Sequence, residues 1–170
     1  MSWFGAIFIL TACTWTGFEV AKKLTERPRQ LRQLKVALQS FEAEIMYGMS
    51  PLAEVSEKIS KQLPDPVAHL FRYFSSQLKK GECEASEAWN QSLDKTWPRT
   101  AMGPQEKEVL KQFGMTMGKH EKMQQQKHIR LALVHLEKEE QEAKEKKMKY
   151  EKIAKTMGFL TGLLLIIILI

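Results

Sequence analysis

The chain has no G-x-x-x-x-G-K-[ST] loop to cradle phosphates, no H-E-x-x-H pair, and no serine or cysteine in a nucleophile motif. These absences leave no evident ATP site and no evident catalytic residue, so the expectation is a protein that is not an enzyme. Of the four histidines, His69, His120, His128 and His135, only the last two share a helix face. Two ligands fall short of a metal site, so no metal and no cofactor is expected. Two cysteines, Cys13 and Cys83, lie far apart, and no disulfide is predicted. Period-2 alternation with β-branched enrichment is missing throughout, which excludes a sheet and predicts an all-α fold.

Charge is missing at both ends. Residues 2–18, "SWFGAIFILTACTWTGF", carry none, and seventeen helical residues span about 26 Å against a bilayer core of about 30 Å. The tail "MGFLTGLLLIIILI" is also uncharged. It covers about 21 Å from Met157, or about 27 Å from Ile153 with Lys155 snorkelling back to the headgroups. Two such ends around a polar middle predict transmembrane helices over 2–20 and 153–170. The alternative is a pair of buried helices in a soluble bundle. A cleaved signal peptide would need Lys or Arg before the apolar run, where only Met1 and Ser2 stand. Residues 10–13, "LTAC", resemble a lipobox, but a mature protein beginning at Met1 is expected.

The net charge of +6 sits beside these ends. Residues 22–35 hold six basic residues (Lys22, Lys23, Arg27, Arg29, Arg32, Lys35) and one acid, Glu26. Residues 144–155 hold six lysines and two acids, Glu145 and Glu151, whereas the stretch between has fourteen basic and sixteen acidic residues. The positive-inside rule then places the middle in the cytosol. Basic residues without aromatic interleaving or a known motif give no nucleic-acid reading.

Within the middle, Pro28 is expected to open a helix after a turn at 25–27. Leu31, Leu34, Leu38, Phe41 and Ile45 then form one apolar seam, and Gly48 ends it. Ser50-Pro51 reads as a cap before a helix buried through Leu52, Val55, Ile59 and Leu63. Asp65-Pro66 starts a third helix through Val67, Leu70, Phe71, Phe74 and Leu78, stopped by Gly81. Residues from Ser86 to about Trp97 form a fourth, with Ala88, Trp89 and Leu93 inward, and "WPRTAMGP" is loop. Pro104 to Gly114 forms a fifth, with Val109, Leu110 and Phe113. From His120 there is no proline and no glycine before Gly158, so a last long helix runs into the tail. Ile129, Leu133 and Leu136 mark its core contact. Its stretch 137–149, "EKEEQEAKEKKMK", reads as a solvated rod with Glu140–Lys144, Glu142–Lys146 and Glu145–Lys149 pairs. The expected architecture is a cytosolic bundle of about six helices, residues 25–152, between two membrane helices. Gly158 and Gly162 form a small-xxx-small pair suited to helix packing in lipid. Gly114 and Gly118 mark a break or tight packing between helices five and six.

The stretches "TWTGFEVAKKLTERPRQLRQLKVALQSFEAEIMYGMSPL", "EVLKQFGMTMGKHEKMQQQKHI" and "GFLTGLLL" closely resemble the stage III sporulation protein AB family, and the likeness runs essentially end to end. More distantly, the middle is similar to the cytoplasmic domain of type II secretion system F proteins. "GMSPLAEV" looks like that domain's G-x-x-L-x-E-A, and "LKKGECEASEAW" like its G-x-x-x-S-E-A-L. In "GKHEKM", Lys119 and Lys122 replace an acid and a glycine of G-E-x-S-G-x-L, so the resemblance does not carry an acidic contact over to this stretch. F proteins carry two such domains and three spans, whereas one domain and two spans are expected here. The resemblance implies a membrane platform component of a secretion-like complex between mother cell and forespore. That component would couple a cytosolic secretion-type ATPase to other membrane subunits, with a homo-oligomer possible and the bundle on the mother-cell cytoplasmic side of the cell membrane. The alternative is a passive tether or scaffold that only recruits partners.

Overall fold

The computed structural model describes the backbone of residues 3–48, 50–117 and 122–169, and the side chains of 21–48, 50–117 and 123–153. The described residues form six α-helices, with no strand among them: α1 (Trp3–Tyr47), α2 (Leu52–Gln62), α3 (Val67–Lys80), α4 (Ala85–Thr96), α5 (Pro104–Gly114) and α6 (Lys122–Leu169). A short 3₁₀ turn, Trp97–Arg99, follows α4. α1 pairs with Gln126 and Arg130 through Glu42 and with Glu139 through Arg27. Rising numbers on α1 thus meet falling numbers on α6, and the two long helices run antiparallel.

The apolar seam of α1 behaves as its spacing demands. Leu31, Leu34, Leu38 and Phe41 are fully buried, and Ile45 packs at the edge. Each such side chain contributes roughly 1.5–3 kcal/mol by leaving water. Opposite them sits an aromatic cluster centred on Trp89. Its ring meets Phe71, Phe74 and Phe113 edge-on at centroid distances of 5.6, 5.0 and 5.5 Å, the geometry that aromatic quadrupoles favour. Its indole Nε1–H donates to the Leu110 carbonyl at 2.8 Å. Gly114 makes room for it: a Cβ there would collide with Trp89 Cδ1 and lie 3.1 Å from Cγ and Nε1. The tight packing expected at Gly114 is therefore real, but it joins α5 to α4. Gly118 lies outside the described residues.

Three local expectations are corrected. Pro28 does not open a helix; it lies inside the continuous α1. Proline removes one backbone donor at a cost of about 3 kcal/mol in a helix interior. Here it is buried and held on both sides. Arg27 is ion-paired, Gln30 Oε1 accepts the Ala101 N–H at 2.8 Å, and Thr25 Oγ1 donates to the Ala21 carbonyl at 3.1 Å. Ser50 is not a cap either. Pro51 takes the cap position, and its carbonyl accepts from Glu54 and Val55. Nor is 137–149 solvated all round: Glu140 and Ala143 are buried against the bundle, because α6 stays packed on α1 through this stretch. Gly81 does end α3, with φ +70° and its N–H donating to Leu78, a left-handed conformation that glycine adopts at no steric cost.

Among the described residues, no helix is long and apolar enough to cross a membrane. The side chains at 2–20 and 154–170, on which the two expected spans rest, lie outside the described residues.

Candidate functional site

The basic stretch of α1 spends much of its charge inside the protein. Arg27 Nε donates to Glu106 Oε1 at 2.8 Å, and its Nη2 reaches Glu139 Oε2 at 2.7 Å. One planar guanidinium thus ties α1 to α5 and to α6 at once. Its fork geometry suits that task as a lysine ammonium would not. Glu106 is fully buried, and its second oxygen, Oε2, accepts the Gly103 N–H at 2.8 Å at the start of α5. The same carboxylate therefore caps α5 and anchors Arg27. The sequence carried a signal for this residue: Glu106 stands at the third position of a helix opened by Gly103-Pro104, half of a capping box.

One and two turns along α1, Glu140 of α6 gathers three cations. Lys144 Nζ lies at 2.6 Å, Lys35 Nζ at 2.9 Å and Arg32 Nε at 3.3 Å. Lys35 also pairs with Glu137. Burial alone would push the Glu140 carboxyl up, but hydrogen bonds from Lys144 and Lys35 outweigh it and hold the group at about 2, below its usual 4.5. Of the three pairs expected along the rod, Glu140–Lys144 forms. Lys138 and Lys147 take Glu142 and Glu151 instead, at 4.0 and 3.8 Å. Glu42 continues the ladder, accepting from Gln126 at 2.9 Å and Arg130 at 3.0 Å. Buried one-sided losses in such a network cost several kcal/mol, whereas exposed pairs contribute little. The weight therefore rests on Arg27–Glu106 and on Glu140.

The remaining candidates do not converge on chemistry. His69 packs in the bundle, with Nδ1 3.1 Å from Thr96 Oγ1 and its ring stacked on Tyr73 at 6.4 Å. Burial, followed by the nearby Arg99, pushes its pKa down. His135 is exposed, His128 half-buried, and His120 outside the described residues. Among the described residues, no group of three or more His, Cys, Asp or Glu side chains could hold a metal ion. Cys83 is a free thiol packed at the edge of the core. Gly158 and Gly162 fall in the helical backbone of α6, but their surroundings lie outside the described residues, as does the "GKHE" stretch at 118–121.

The sequence model for stage III sporulation protein AB matches residues 2–170. The chain belongs to the stage III sporulation protein AB family. A stage III sporulation protein AB of Bacillus subtilis (strain 168) is 58% identical over 165 residues, covering 97% of this chain and 96% of the relative. A solved structure of a stage III sporulation protein AB is 55% identical, covers 73% of this chain and 98% of its own, and superimposes with a TM-score of 0.71. Membership in this sporulation family sets the context for the Arg27 junction, which ties α1, α5 and α6 together.

Proposed function

We propose that the protein is a non-enzymatic membrane platform component of a secretion-like complex between mother cell and forespore. In this reading residues 2–20 and 153–170 span the cell membrane, and the bundle faces the mother-cell cytoplasm. A secretion-type ATPase of the same complex docks on the bundle, and other membrane subunits pack on the spans, Gly158 and Gly162 included. The observation that carries the reading is the Arg27 junction. It fixes α1, α5 and α6 to one another, and from it α1 and α6 run on as unbroken helices, nine residues to Phe18 and eighteen to Met157, into the uncharged ends of the chain. A displacement of the bundle would reach those ends through rigid helices rather than through loops. Family membership supports the sporulation context.

The test is co-purification of the full chain with the ATPase from detergent-solubilised membranes of sporulating cells. The reading predicts a complex that is lost, together with spore formation, when residues 25–152 are replaced by an unrelated helical bundle. An absent complex, or normal sporulation with the replaced bundle, contradicts it.

A further inference from the structure

Assigning the internal ion pairs leaves four cations over at one end of the bundle. Lys22, Lys23, Arg99 and Lys146 have no carboxylate partner among the described residues, and Glu26, the acid beside them, pairs with Arg29. They rim two adjoining clefts of about 200 Å³ each, which share Lys23 and Ala101. The first lies between α1 and α6. Leu24, Ala101 and Ala143 line it, with Lys23 from α1 and Lys146 from α6. Arg27, also at this cleft, is already committed to Glu106 and Glu139. The second runs along the 98–101 loop past Lys22 and Arg99.

Two features set this end apart from an ordinary basic surface. The floor of the first cleft is apolar while its lysines come from two different helices, so cationic groups are held over a hydrophobic floor. It also lies toward the uncharged runs: Lys23 is five residues past Phe18 and Lys146 eleven before Met157, about 8 and 17 Å of helix. A phosphodiester between the lysines would leave glycerol and the first methylenes over Leu24 and Ala143. Basic pockets between helices at a membrane's cytoplasmic face recognise anionic headgroups in this way. We propose that this cleft binds the headgroup of an anionic phospholipid through Lys23 and Lys146, with Lys22 and Arg99 beside it. The site fixes the depth of the bundle and the spacing of α1 and α6 at the membrane surface. This rests on the membrane reading proposed above.

The experiment titrates the full chain in detergent micelles with phosphatidylglycerol or phosphatidylcholine, reading bound lipid by native mass spectrometry. Each cation contributes about fivefold in affinity near a surface. Lys23→Gln with Lys146→Gln should therefore weaken phosphatidylglycerol binding by roughly 25-fold, leave phosphatidylcholine unchanged and cut the preference between them by the same factor. Lys58→Gln with Lys61→Gln, exposed lysines of α2 outside both clefts, should leave the preference intact. Equal affinity for the two lipids in the wild type, an unchanged preference in the Lys23/Lys146 variant, or full displacement of the lipid by inorganic phosphate would each overturn the proposal. Carbonate washing of native membranes separates the two claims. A chain that is washed off removes the membrane reading and the lipid site with it. A chain that stays inserted yet shows no lipid preference removes the lipid site alone.

Discussion

Replacing Arg27 with methionine tests the junction with least steric change, since the stem is kept and the guanidinium removed. Glu106 is fully buried and would keep only the Gly103 N–H on Oε2, with its charge otherwise uncompensated. Glu139, at 13% exposure, can turn toward water and adds little. Breaking a buried pair from one side costs about 3–5 kcal/mol. At about 3 °C per kcal/mol for a chain of this size, Tm should fall by roughly 10–15 °C. Far-UV circular dichroism of the full chain in detergent micelles reads this directly. Arg27→Lys should recover only part of the loss, because one ammonium cannot reproduce both fork contacts. Adding Glu106→Gln to Arg27→Met should restore stability relative to Arg27→Met alone, since the stranded charge is gone. A loss below about 1 kcal/mol for Arg27→Met would place the pair with ordinary surface ion pairs and refute the argument that α1, α5 and α6 are locked there.

Other outcomes follow from single contacts. Glu140 is held at about 2 against 4.5, so its stabilisation is complete above pH 4.5 and lost as pH falls from 4.5 toward 2. This amounts to roughly 3 kcal/mol, and Glu140→Gln should flatten that limb of an acid titration of Tm. Gly114→Ala drives a methyl into the Trp89 ring and should cost roughly 1–3 kcal/mol, measured by urea unfolding. Trp89→Phe removes the indole hydrogen bond to the Leu110 carbonyl, now 2.8 Å, and should cost roughly 0.5–1.5 kcal/mol for that bond, read by the same unfolding. Gly158→Ile with Gly162→Ile should abolish sporulation while ATPase co-purification persists. Retained spore formation would remove the glycine pair from assembly.

The helices were legible because their signals are local. Val67 to Lys80 between Asp65-Pro66 and Gly81, and Pro104 to Gly114, stand where capping and periodicity place them, and every residue of the α1 seam from Leu31 to Phe41 is buried. Pro28 misled because a local rule was overridden by tertiary anchors on Arg27 and Gln30, which no window of sequence displays. The rod misled for a related reason. Glu140 and Ala143 look exposed beside their neighbours, but Ala143 is buried in the core and Glu140's partners Arg32 and Lys35 lie more than a hundred residues away. The same long-range pairing changes the meaning of the basic flank. Arg27, Arg32 and Lys35 neutralise α6 acids, and Lys22 and Lys23 remain for whatever lies at that end. Family membership was legible from residue identities across the chain, and the Arg27 junction only from the fold.

In the proposed topology one helical bundle hangs in the cytoplasm between two membrane helices. Cys83 packs at the core edge, so an exposed reporter beside it serves better: Glu82→Cys in a Cys13→Ser, Cys83→Ser background. A membrane-impermeant maleimide is added to intact sporulating cells and, separately, to inverted vesicles. That topology predicts modification of Cys at position 82 in the vesicles and none in intact cells until they are permeabilised. Modification in intact cells would place the bundle outside and contradict it.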